Sequence, residues 1–192
     1  MYNFFAYMSR MKLIRRWSLM KSLSDENIAE HSAQVAQIAH SLAVIASTVY
    51  GKEVNADRVT TLALYHESSE VITGDLPTPI KYYNPEIREA YKSIESTANK
   101  KLLSMLPEEL RGEYAPLVEQ ADDTYEHTLV KAADKLSAYI KCLEELRSGN
   151  REFSKAAASL KKEISAYLEL AEVKYFCDKF IASFSKALDE LD

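Results

Sequence analysis

The chain has 192 residues, a formal net charge of −5, 47% hydrophobic residues and 28% charged residues. That is long enough for one domain with a core, and the negative balance argues against a nucleic-acid polymer as partner. Only 4 Gly and 5 Pro weigh against a sandwich or barrel, whose frequent turns need them, and no apolar run approaches the roughly 20 residues that cross a bilayer.

A period of 3.6 runs through nearly the whole sequence. The first helix carries Phe4, Phe5, Met8, Met11 and Ile14. Its bases follow its aromatic residues, the reverse of a secretory signal, and no acid precedes Asp25. It reads as a core helix with a basic outer edge rather than a transit peptide or a membrane-surface helix. A second helix opens at Asn27, a good N-cap residue with Glu30 three positions on. Its apolar stripe is Ile28, Val35, Ile38, Ala39, Leu42, Ile45 and Val49, and Gly51 ends it. A third helix is expected from Ala56 to Thr73, stopped by Gly74.

"DLPTPIKYYNPEI" holds the densest breakers and reads as an ordered loop. A charged helix follows from Glu86 to Met105. "LPEEL" starts a short helix with Pro107 in its first turn. From Tyr125 to Arg147 the stripe is Leu129, Ala133, Leu136, Ile140 and Leu143, broken by "SGN". One or two more helices complete the chain, with Tyr175, Phe176, Phe180 and Phe184 packing inward. There is no internal repeat and no linker, so the reading is all-α, a single domain over residues 1–192. Cys142 and Cys177 form no CxxC pair and read as reduced thiols in a cytoplasmic protein.

Several ionisable residues fall on these buried stripes. His31 lies one turn after Ile28 and one before Val35. His66 shares a face with Val59, Leu62 and Ala63. Glu67 is its neighbour, rotated about 100° round the axis, and Asp134 sits beside Ala133 at the edge of a later stripe. A carboxylate in an apolar core needs a partner or a cation. Two imidazoles and two carboxylates meeting between helices would make an N,N,O,O site for a divalent metal. Each residue also has a plain structural use: a satisfied core histidine, an exposed Glu67, an Asp134 paired with Lys131. Spacing alone leaves both readings open. His40 and His127 read as ordinary core or surface histidines.

"EHS" at Glu30–Ser32, "YHESSEVITGDLPTP" and "KAADKLSAYIKCLEEL" resemble HD-domain metal phosphohydrolases. With "FFAYMSRMKLIRRW" and "PTPIKYYN" the resemblance narrows to the bacterial YfbR-like 5′-deoxynucleotidases and covers nearly the whole chain. It implies an HD-type helical bundle that hydrolyses the 5′-phosphate of deoxyribonucleoside monophosphates with one divalent ion (Co, Mn, Zn or Mg). The implied metal ligands are His31, His66, Glu67 and Asp134. This chain has Glu67 where the family has aspartate. The resemblance further implies proton transfer by Glu70, phosphate orientation by Arg16 and crowding of a ribose 2′-hydroxyl by Trp17. Substrate contacts extend to His31, Asp134 and the segment Asp75, Leu76, Pro77 and Thr78. Lys81 is a second phosphate candidate. The expected state is a homodimer formed through carboxy-terminal aromatics, with no membrane partner. Two other readings fit the same residues: an HD hydrolase of another nucleotide phosphoester, and a nucleotide-binding protein whose turnover is weakened by Glu67.

Overall fold

The computed structural model describes residues 1–81, 83–120 and 123–191. Of the expected loop after Gly74, Tyr82 lies outside them. Among the described residues there are ten α-helices: α1 Phe4–Met8, α2 Ile28–Tyr50, α3 Ala56–Tyr65, α4 Glu70–Thr73, α5 Thr78–Lys81, α6 Pro85–Ser104, α7 Glu108–Glu119, α8 Tyr125–Arg147, α9 Ser154–Ser165 and α10 Ala171–Phe180. Among the described residues no β-strand forms, only one isolated antiparallel bridge between Arg15 and Asn27. Among the described residues no helix is long and apolar enough to cross a membrane.

The two 23-residue helices, α2 and α8, pack on each other, and α3 and α10 lie against α2. Val35, Leu42, Leu62, Leu136, Ile140 and Phe176 fill the space between them. Each such leucine, once buried, is worth on the order of 2 kcal/mol of transfer free energy. A second cluster gathers Phe4, Met11, Ile28, Leu102 and Leu106 under the amino terminus. A third joins Cys142, Phe153 and Leu160, with Trp17 and Met20 packed against it.

The α2 start follows the expected chemistry. Asn27 Oδ1 accepts from the Ala29 and Glu30 amides at 3.0 Å, and Glu30 returns a bond to the Asn27 amide at 3.2 Å. Gly51 closes the helix at φ +64°, a left-handed geometry that favours glycine.

Elsewhere the chain departs from the periodic reading. The first helix stops at Met8, a 3-10 segment Ser9–Leu13 continues it, and Phe5 is exposed. The helix expected from Ala56 to Thr73 is interrupted after Tyr65. There the His66 ring donates to the Ala63 carbonyl at 2.7 Å, and the Ser68 hydroxyl donates to that of Tyr65 at 2.6 Å. Side chains thus capture carbonyls that the helical ladder would use, and i→i−3 bonds such as Glu70 N to Glu67 O take over. The expected loop contains the short α5, and Pro107 is the N-cap of α7 rather than within its first turn. Phe180 ends α10 exposed, although it stacks on Phe176 and Tyr175, the first of them buried.

Residues 14–27 form a strap across one end of the bundle. It is held less by apolar packing than by polar bonds. Glu145 of α8 accepts from the Leu23 and Ser24 amides and from Asn150 Nδ2, while Lys141 donates to the Ser24 carbonyl at 2.6 Å. Lys141 and Glu145 also pair with each other at 2.6 Å, and both are buried.

Candidate active site

Three elements deliver one cluster. His31 comes from the first turn of α2, fixed by the Asn27–Glu30 cap immediately before it. His66 and Glu67 come from the interrupted turn after α3, and Asp134 from the middle of α8. One ligating atom from each of these four residues lies within 4.8 Å of the others. Two ligands held about 2.1 Å from a shared ion stand at most about 4.2 Å apart, so small side-chain rotations close the set.

Hydrogen bonds fix which imidazole nitrogens face inward. His66 gives its Nδ1 proton to Ala63, which leaves Nε2 as the lone-pair atom. That atom is buried and makes no hydrogen bond, although Glu67 Oε1 stands 3.4 Å away. Ser137 donates its hydroxyl to Gln34 Oε1 at 2.6 Å and so accepts from His31 Nδ1 at 3.1 Å. His31 Nε2 then meets Asp134 Oδ1 across 3.1 Å. A ring that donates from Nδ1 can face a carboxylate that closely only through a proton or a cation on Nε2. Burial, aided by the charge of Arg16, lowers the His31 pKa and disfavours the proton. At His66 burial also opposes the charge, but Glu67 and Asp134 outweigh it and the pKa is raised.

Both cluster carboxylates are anions. Burial opposes ionisation of Asp134, yet His31, Lys135 and His66 hold its pKa well below the usual range. Glu67 is driven down against the same burial penalty by His66, by the neighbouring Glu70 carboxyl and by Arg16. Glu70 moves the other way. Burial and the Glu67 charge push its pKa up, so of the two carboxyls Glu70 is the one that favours the proton. Two lone-pair nitrogens and two anionic oxygens in a buried space are a donor set that fits a divalent cation.

Arg16 reaches this cluster from the strap, with Nη1 3.9 Å from Glu67 Oε1. Its own pKa is raised: burial works against the charge, but Glu67, Asp134, Glu26 and Asp75 surround it. Asp75 flanks the site with its pKa raised, first by burial, against the pull of Arg16. Trp17 is half-buried, its ring 5.2 Å from Phe153. Leu76 and Pro77 are half-buried and Thr78 is exposed at the start of α5. Lys81 is engaged elsewhere, bonded to Glu95 at 2.9 Å and placed over the Tyr91 ring. Asp134 pairs with Lys135 at 3.3 Å, and Lys131 with Asp123, not with Asp134. His40 is exposed and His127 buried, both away from the four-residue cluster.

Periodicity did not point to Ser137, Gln34 or Glu26. Ser137 stands one turn beyond Asp134, a D-x-x-S spacing that puts both on one face of α8. Glu26 carried no local signal beyond preceding the cap of α2.

A family model described as 5′-deoxynucleotidase YfbR-like matches residues 3–184. The chain is 52% identical over 192 residues to a 5′-deoxynucleotidase of Photorhabdus laumondii, covering 100% of this chain and 97% of that one. It is 51% identical over 190 residues to 5′-deoxynucleotidase YfbR of Escherichia coli, covering 98% and 95%. Among solved structures, an HD-domain phosphohydrolase from Listeria innocua superposes with a TM-score of 0.84 at 29% identity, covering 95% of this chain and 88% of that one. The cyanophage S-2L HD phosphohydrolase bound to dA and one catalytic Zn2+ superposes with a TM-score of 0.69 at 21% identity, covering 93% and 96%, and shares the fold.

Proposed function

Because the chain belongs to the YfbR-like 5′-deoxynucleotidase family, we propose that it hydrolyses the 5′-phosphate of deoxyribonucleoside monophosphates at the cluster of His31, His66, Glu67 and Asp134. The observation that carries this is the convergence of those four ligating atoms, with both histidines turned so that a lone pair faces inward. A divalent cation held there would supply the charge that lowers the pKa of a water and neutralises phosphate oxygen. Zn, Co and Mn suit such mixed nitrogen and oxygen donors, and Mg, which prefers an all-oxygen shell, suits them least.

The protein's own groups do the rest. Arg16 presents a planar fork that binds two phosphate oxygens at once. Glu70, the carboxyl whose pKa is raised, gives its proton to the departing 5′-oxygen. Trp17 crowds the sugar where a ribose would carry its 2′-hydroxyl. Asp75, Leu76, Pro77 and Thr78 hold the nucleoside, and Pro77 together with Pro79 just beyond the segment limits the conformational freedom lost on binding. His31 and Asp134 border the phosphate as well as the ion. The carboxylate of Glu67, one methylene longer than aspartate, still reaches the cluster, which supports turnover over mere nucleotide binding. We read the protein as cytoplasmic and as a homodimer. Exposed Tyr50 and Phe180, each in ring contact with Tyr175, together with exposed Val49, support pairing across the α2–α10 face.

The test is metal content and phosphate release measured together. Protein purified without chelator is expected to carry about one ion per chain and to release phosphate from deoxynucleoside monophosphates. His31→Ala is expected to lose both. Glu70→Gln is expected to keep the ion and lose about a hundredfold to ten-thousandfold in kcat. If the parent is inert with every metal while Glu67→Asp turns over, the binding-protein reading replaces this one.

A further inference from the structure

One oxygen of Glu26 is shared by both groups assigned to the substrate on the strap. Arg16 Nε donates to Glu26 Oε2 at 3.0 Å, and Trp17 Nε1 donates to the same oxygen at 2.8 Å. The Arg16 amide donates to the Glu26 carbonyl at 2.9 Å, so backbone and side chain are tied together. Arg16 and Glu26 are both largely buried, with side chains 12% and 11% exposed. With Nε occupied, the guanidinium has only its Nη edge left to turn toward the cluster, where Nη1 lies near Glu67. The indole is held by its single N–H donor and backed by Phe153. Trp17 also sits at φ +59°, a left-handed conformation that costs a side-chain-bearing residue on the order of 1–2 kcal/mol and persists only where its surroundings impose it. Glu26 in turn directly precedes Asn27, whose cap sets the start of the helix carrying His31.

We propose that Glu26 is a positioning residue that couples phosphate orientation to sugar selection, because a single carboxylate oxygen fixes the Arg16 fork and the Trp17 ring in one register relative to His31. This rests on the roles given to Arg16 and Trp17 above. Glu26 touches neither phosphate nor sugar; it acts through the two side chains that do. Loss of its oxygen frees the indole to rotate away from the 2′ position and the guanidinium to tilt, so selectivity and kcat fall together.

The experiment compares kcat/KM for a deoxynucleoside monophosphate and its ribonucleotide counterpart in the parent, Glu26→Met and Glu26→Gln. Methionine keeps the bulk and removes the acceptor; glutamine keeps an oxygen. Glu26→Met is expected to lower the deoxy-to-ribo ratio by about tenfold to a hundredfold, the cost of misplacing a group by about 1 Å, with Glu26→Gln restoring most of it. Trp17 is the only tryptophan, so its emission reports the ring without any activity measurement. In Glu26→Met it is expected to shift to the red and to quench more readily with acrylamide. Trp17→Phe, which removes the N–H donor, is expected to lower the ratio similarly, and adding Glu26→Met to it is expected to lower the ratio little further. A Glu26→Met protein with a native circular dichroism spectrum, the parental ratio and parental Trp17 emission overturns the proposal. So does an unaltered ratio in Trp17→Phe, which decides the matter even if Glu26→Met fails to fold. Should the parent itself release no phosphate from any deoxynucleotide, the functional reading fails, while Trp17 emission still judges the positioning.

Discussion

In the α2–α3–α8 bundle, Leu42, Leu62 and Leu136 are fully buried and meet one another through aliphatic surface. In the strap over residues 14–27, position is set instead by donors and acceptors far apart in sequence: Leu23 and Ser24 on Glu145, Lys21 on Glu152, Arg16 and Trp17 on Glu26. Apolar packing is non-directional and tolerates small shifts, which suits a frame. Hydrogen bonds to charged groups are directional and fix orientation, which suits a segment that must hold a guanidinium and an indole at set angles. The cluster of His31, His66, Glu67 and Asp134 lies where the two regimes meet.

That contrast breaks most sharply at Glu145. Its removal strands the buried Lys141 amine and two strap amides, and Glu145→Ala is expected to cost about 3–5 kcal/mol in urea unfolding. The same group gives the contrast a pH signature. Burial would raise its pKa, but bonds from Lys141, Leu23, Asn150 and Ser24 hold it at about 2, against 4.5 for a free glutamate. A depressed folded pKa adds stability that is present in full above about 4.5 and is lost as pH falls toward 2. The stability gap between the parent and Glu145→Gln is therefore expected to close across that window, as followed by urea midpoints at successive pH values.

A smaller effect sharpens the comparison from the bundle side. Ser137 relays a directional bond from Gln34 to His31 inside the otherwise apolar α2–α8 contact. Ser137→Ala is expected to leave the fold intact and to weaken metal affinity about tenfold to a hundredfold, measured by calorimetric titration with Zn or Mn. Smallest is the joint between the two regimes. Asn27→Ala removes the α2 cap and is expected to cost about 1 kcal/mol in thermal unfolding.

What could be read from the sequence follows the same division. α2 and α8 emerged with almost their observed ends, because a 3.6-residue stripe and a cap are local signals. His31 and His66 were visible as ionisable groups on apolar faces and Asp134 at the edge of one, while Glu67, rotated off its face, joined them as a ligand through the family resemblance. The break after Tyr65 was not, since it depends on His66 and Ser68 bonding to their own backbone instead of projecting as the periodic pattern assumes. Phe5 and Phe180 misled for a related reason: each lies in a terminal turn, Phe5 at the start of α1 and Phe180 at the end of α10, where the helix face is not fully covered. Glu26 and Glu145 were invisible because nothing in their neighbourhood signals a partner ten or more than a hundred residues away.

The His66 ring is bonded through Nδ1 to the last turn of α3 while Nε2 looks into the cluster. It is thus a rivet between a helix end and whatever fills the centre, and α3 leans on both α2 and α8. An ion that binds only the folded chain stabilises it by mass action, about 4 kcal/mol at a thousandfold excess over its dissociation constant. Under the proposed function, withholding metal is therefore expected to soften the whole bundle as well as silence its chemistry, tying the protein's lifetime to the supply of that ion.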